Sequence, residues 1–247
     1  MLDDPPDRFP TDGYQPHWNP EAFCKEPFER YLARMRDGVL PDWPEDALRS
    51  WLYEHAGGLE PYAWLDYSAF RFRAVSWSTD AVPGRECFWD SGFCDDFSRK
   101  VWNPESAPDD WLLHHMIKSG TWPTPIIALE NPAPGLEAPW GRRLSSPIHL
   151  LEGHRRLSFL NGLRQRGMAA GEHHAWVVRM SRNPMETAAY RQTKADHQAW
   201  LRAKEEQDKR HRRDRAESQA RLGKAGLSYL RTLTDEELRS QIETFED

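Results

Sequence analysis

The chain has 247 residues, with 33 Lys+Arg against 39 Asp+Glu, a formal net charge of -6 and three cysteines. No apolar run approaches the ~20 residues that a membrane-spanning helix needs, and Cys24, Cys87 and Cys94 lack the number and spacing of a disulfide framework or a zinc ribbon. The acidic, Pro-rich start lacks the basic and apolar regions of a secretory leader, so a soluble cytoplasmic protein with no membrane partner is expected.

Charge is spread unevenly. Residues 1–110 carry 11 basic and 22 acidic side chains, residues 111–181 carry 8 and 4, and residues 182–247 carry 14 and 13. An acidic first half beside a basic middle places any anionic ligand in the middle.

Pro5, Pro6, Pro10, Pro16 and Pro20 make residues 1–20 an extended arm. From Glu21 the spacing of Phe23, Phe28, Tyr31, Leu32 and Met35 predicts a helix that Gly38 ends. A second helix is predicted from Pro44 to His55, with Glu45 and Asp46 at its positive end. Ala69 to Val75 alternates as a half-buried strand does. Eight of the 12 tryptophans fall in residues 1–111, a density that predicts a small aromatic core rather than a binding face.

Asp109-Asp110 caps a predicted helix from Trp111 to Ser119, with Leu112, His115, Met116 and Ser119 on one side and Gly120 closing it. Ile126 to Leu129 reads as a short buried strand, Asn131 to Trp140 as a loop, and Pro147 to Leu151 as a second strand. Glu152-Gly153 then turns the chain into a helix from His154 to Arg166, and Ala175 to Arg179 forms a third strand. From Pro184 to Leu222 the composition predicts one long polar helix, and Thr234 to Glu237 is a capping box before Leu238, Ile242 and Phe245.

The strand, turn and helix over 147–166 carry the strongest signal. His154, Arg155 and Arg156 fall in the first turn of a helix, where their charge opposes the helix dipole. That placement makes sense if phosphates sit on the free amides and on the arginines, with Gly153 allowing a close backbone approach. Leu157, Leu160 and Leu163, with Phe159, form the buried face, leaving the basic tip outward. Glu152 reads either as an acid–base group or as a partner of Arg155 or Arg156. The adjacent pairs His114-His115 and His173-His174 point in different directions and read as structural, not as metal ligands. The run Lys209 to Arg213 is interleaved with acids and reads as a solvated helix.

Glu152-Gly153-His154-Arg155-Arg156-Leu157 resembles the Gly-x-Arg-Arg box of ParB-type partition proteins. It is also similar to the corresponding boxes of sulfiredoxins and of ParB-like free-serine kinases. Trp111 to Leu129 resembles the helix, Gly turn, x-Pro-Ile and strand that precede that box. The resemblance covers about 75 residues and implies a ParB/sulfiredoxin-like core over 109–182; with the acidic Trp-rich elaboration over 1–108 and the helical extension over 183–247, the expected class is α+β. It implies a nucleotide ligand, ATP or CTP, with Gly153, His154, Arg155 and Arg156 cradling phosphates and Thr124 and Pro125 lining the pocket. Glu152 and His154 take catalytic roles in this reading, Glu152 as general base or as a ligand for Mg²⁺. Hydrolysis or phosphoryl transfer follows. The alternatives are a ParB-like nuclease or nonspecific DNA-binding protein, and a nucleotide-responsive interaction protein that docks a protein partner through its Trp-rich region. His154 stands where sulfiredoxins carry their cysteine and no cysteine lies in 109–182, which excludes sulfinic acid reduction. The polar C-terminal segment has no helix-turn-helix pattern.

Overall fold

A computed structural model describes residues 13–55, 61–88 and 91–230. Four strands build the central sheet: β3 (Phe70–Ser78), β4 (Ile126–Glu130), β5 (Ile148–Glu152) and β6 (Glu172–Met180), in the order β3-β6-β4-β5. β3 runs antiparallel to β6, with Phe70 opposite Met180 and Ser78 opposite Glu172. β6 lies parallel to β4, and β4 antiparallel to β5. A separate two-residue ladder joins β1 (Trp18–Asn19) to β2 (Cys24–Lys25). The class is mixed α+β.

Ile126 to Leu129 are all buried because both faces of the sheet are covered. Successive side chains alternate faces. Ile127, Leu129, Leu151 and Val178 join one core with Trp43, Trp51, Trp64, Tyr67 and Phe70. Here the indole of Trp43 stacks on Phe70 at 5.5 Å between centroids and on Trp51 at 5.9 Å. This layer is held by α1 (Phe28–Arg34) and by α2 (Glu45–Ala47), which continues as a wider helical turn over Leu48–Tyr53. Ile126, Leu150 and Ala175 join the second core with Leu113, Met116, Leu157, Leu160 and Leu163. That layer comprises α3 (Ser91–Lys100), α4 (Trp111–Ser119) and α5 (His154–Gln165). α3 and α5 meet so closely at Gly162 that a Cβ there would lie 2.5 Å from the Ser98 carbonyl oxygen, and Ser98 Oγ donates to the Ser158 carbonyl at 2.7 Å.

The tryptophans divide in two. Trp43, Trp51 and Trp64 are core, whereas Trp18, Trp102 and Trp111 are exposed. The Trp-rich segment supplies an edge strand and most of the cover of one sheet face, joined there by Ala138, Leu144 and Tyr190, so segments 1–108 and 109–182 share one sheet and its two cores. Cys87 and Cys94 are buried, Cys24 is exposed, and none forms a disulfide.

Several element boundaries are corrected. The first helix starts at Phe28, because Phe23 adopts φ 49 in the turn before β2 and is 81% exposed. α4 is capped as expected by Asp110, which accepts from the Leu113 amide at 3.2 Å, and closed by Gly120 at φ 73. Its buried residues, however, are Leu112, Leu113 and Met116, with His115 and Ser119 exposed. The last helix among the described residues, α6 (Ala188–Leu230), begins after a turn over Pro184–Glu186 that Asn183 caps. Tyr190 fixes its start by donating to the Glu137 carbonyl at 2.6 Å.

Asp196 opens a second unit, whose described part is the remainder of α6. It is a solvated helix in which Lys209 pairs with Glu205 and Glu206 at 3.0 and 3.1 Å, and Arg213 with Glu217 at 2.9 Å. The expected capped helix at 234–245 lies outside the described residues. Among the described residues, no helix is long and apolar enough to cross a membrane.

Candidate functional site

The site begins where β5 ends. Glu152 is the last strand residue, and Gly153 makes the turn into α5 at φ 100, with no side chain capping the helix. The need for glycine is twofold: the left-handed backbone disfavours any Cβ, and a Cβ would lie 2.5 Å from Ile126 Cγ2 on β4. The close approach that glycine permits is therefore between β5 and β4, in addition to leaving the turn open. The buried face of α5 is as the sequence predicts, Leu157, Phe159, Leu160 and Leu163 being inaccessible.

The two arginines differ, and the expectation of an outward basic tip is corrected for one of them. Arg156 is buried. Its Nη1 donates to the carbonyls of Thr124 and Pro125, each at 2.9 Å, and to the Thr124 hydroxyl, while Nη2 donates to Glu152 Oε1 at 3.1 Å. The structure thus brings together four of the residues singled out, Thr124, Pro125, Glu152 and Arg156, through hydrogen bonds among themselves. Arg155 is 46% exposed and pairs with Asp110 at 2.6 Å, which ties the start of α5 to the cap of α4.

All but Pro125 of these residues line one cleft of about 1130 Å³. Gly153, His154, Arg155 and Thr124 meet there with residues that sequence reasoning did not assign to a site: Asp46, Arg49, Glu54, His55, Trp111 and Trp176. Trp176 Nε1 donates to both Asp46 oxygens at 3.0 Å, joining β6 to α2. Trp111 is 67% exposed at the first position of α4. The α2 residues enter the site through tertiary packing about 100 residues away in sequence, for which no local pattern exists. Trp111 carried a usable signal, an aromatic residue directly after a capping Asp.

Burial alone would raise the Glu152 carboxyl, but His55, 3.5 Å away, and Arg156 outweigh it and hold the group below the ordinary carboxylate range. Glu152 is therefore an anion at neutral pH. The same contact raises His55. Burial pushes the His154 imidazole down, assisted by the charge of Arg156 and opposed by Glu152, so that it is neutral at pH 7. The His154 ring stands edge-on to Phe88 and Phe93, at 5.7 and 6.2 Å between centroids.

Glu152 is already engaged by Arg156 and His55, and no group of three or more His, Cys, Asp or Glu among the described residues is placed to hold a metal ion. These residues do not fit a resident Mg²⁺. His173, one of the paired histidines, instead bonds Thr121 Oγ1 and Thr79 Oγ1 at 2.9 and 3.2 Å. In comparisons with known proteins, no family model, no curated protein and no solved structure matches the chain.

Proposed function

We propose that the cleft binds a nucleoside triphosphate of the ATP or CTP class, with its phosphates at the start of α5, and hydrolyses it or transfers its terminal phosphoryl group. In this reading residues 109–182 are a ParB/sulfiredoxin-like core. The observation that carries the proposal is the convergence of the uncapped α5 N-terminus, Gly153, His154 and Arg155 on one cleft large enough for a nucleotide. Backbone amides and the dipole favour the anion there, and Arg155 adds a partly exposed guanidinium that a phosphate can share with Asp110. Arg156 acts indirectly, holding Thr124-Pro125 and Glu152 around the turn. The exposed Trp111 indole offers a face for the base, a contact worth about 1–3 kcal/mol. Any Mg²⁺ enters on the phosphates of the nucleotide. The ion pairs along α6 and the net charge of -6 leave a nuclease or nonspecific DNA-binding role with less support.

The test is a thermal-shift titration across nucleotides, with and without Mg²⁺, alongside phosphate release. ATP or CTP is expected to raise the melting temperature. Arg155→Ala is expected to weaken binding by about ten- to a hundredfold, as the loss of one charge-assisted contact of about 1.5–3 kcal/mol predicts. The proposal fails if no nucleotide shifts the melting temperature, or if Arg155→Ala binds as the parent does.

A further inference from the structure

We infer that His154 is a phosphoryl acceptor: its imidazole attacks the terminal phosphorus of a nucleoside triphosphate in the cleft and carries the phosphoryl group as phosphohistidine. The inference rests on the nucleotide reading above and adds the identity of the nucleophile.

His154 is the first residue of α5 and lines the cleft beside Gly153 and Arg155. Among the described residues neither ring nitrogen has a hydrogen-bond partner. The His154 side chain is half-buried, at the wall of the cleft. The two fully buried histidines, His149 and His173, differ. His149 accepts from the Ser145 amide at Nδ1 (3.2 Å) and meets the Tyr62 hydroxyl at Nε2 (3.0 Å), and His173 is bracketed by two threonines. Those two rings are used by the fold, whereas His154 is positioned by packing alone, edge-on to Phe88 and Phe93. A neutral imidazole has a free lone pair and is a competent nucleophile. The groups around it suit charge building up on a transferring phosphoryl group: the first-turn amides of α5 and the Arg155 guanidinium.

The step balances. A ring nitrogen forms the N–P bond, the bond from that phosphorus to the bridging oxygen breaks, and the nucleoside diphosphate leaves with the electron pair. The second ring nitrogen releases its proton to solvent, leaving a phosphoimidazole. Water then attacks phosphorus and the N–P bond breaks with its electron pair left on the ring; the water oxygen goes to inorganic phosphate and a proton returns to the imidazole.

The test uses the full chain with ATP or CTP labelled in the terminal phosphate. Binding is followed in parallel by thermal shift, and exchange of labelled diphosphate into triphosphate is followed as a second readout. Expected are a protein label lost in acid and stable in alkali, placed on His154 by peptide mass, and diphosphate exchange. Label and exchange fall at least tenfold in His154→Gln, compared at nucleotide concentrations that saturate each protein. A melting shift with neither label nor exchange overturns this inference and leaves the binding reading intact, as does a label that survives in His154→Gln. Absence of any melting shift overturns both.

Discussion

Replacing Arg156 by Ala tests whether this residue holds the site together or contacts ligand. Its guanidinium is buried and makes four hydrogen bonds, two to the carbonyls of Thr124 and Pro125, one to the Thr124 hydroxyl and one to Glu152. Truncation leaves two backbone carbonyls of the 124–125 connection without that donor, and leaves the Glu152 carboxylate facing only the exposed His55. Breaking a buried pair from one side costs about 3–5 kcal/mol, because the surviving charge stays desolvated. That is a large share of the roughly 5–15 kcal/mol by which a domain is stable. At about 2–4 °C per kcal/mol for a domain of this size, the melting temperature falls by about 6–20 °C. Arg156→Lys keeps the charge but not the planar fork, and is expected to recover only part of the loss. Arg155→Ala, by contrast, removes a half-exposed pair and costs about 0–1 kcal/mol. Urea denaturation of the three variants measures these differences directly, with an unchanged m-value showing that the same surface unfolds. A cost below 1 kcal/mol for Arg156→Ala, or a larger one for Arg155→Ala, would refute the division of labour between the two arginines.

Three further outcomes are expected. Gly153→Ala places a methyl 2.5 Å from Ile126 Cγ2 at φ 100, costing about 1–2 kcal/mol in backbone strain and about 1–3 in overpacking; a double variant with Ile126→Ala should recover part of the second share in a double-mutant cycle. Gly162→Ala, which helix propensity alone would make stabilising by about 0.5–1 kcal/mol, is expected instead to destabilise by about 1–3 kcal/mol through contact with the Ser98 carbonyl and Val101, and a stabilised variant by calorimetry would show that α3 and α5 can part freely. The inaccessible His149 is pushed down to about 3 by burial. A depressed folded pKa gives stability that is complete above the unfolded value near 6.5 and lost as pH falls toward 3, with a slope of up to about 1.4 kcal/mol per pH unit. His149→Gln, less stable at pH 7, should show a shallower decline over that window, and equal slopes in the two proteins would exclude this source.

The elements governed by local signals were legible. α4 has its capping Asp110 and closing Gly120, β4 its four apolar residues in a row, and α5 its Leu157, Leu160 and Leu163. The burial of Arg156 was less so, although Arg156, Leu160 and Leu163 share the i, i+4, i+7 stripe of α5, a spacing that points inward. Phe23 misled because helical spacing says nothing of a single left-handed residue. The pairing of β3 with β6, and the arrival of Asp46, Glu54 and His55 at the cleft, depend on contacts between distant segments, about which single-sequence periodicity carries no information. The candidate site was therefore half visible: the β5–α5 turn and Thr124 were, the α2 contribution was not.

The antiparallel pairing of β3 with β6 also bears on synthesis. Among the described residues β6 is the one strand that β3 pairs with, and it is made about 100 residues later. At roughly 5–20 residues per second, a growing chain carries β3 and the aromatic layer around Trp43 and Trp51 for about 5–20 s before that strand exists. An unpaired strand edge beside exposed indoles attracts wrong partners. Conditions that slow elongation between residues 78 and 172 should therefore lower the soluble yield of this protein more than slowing beyond residue 180.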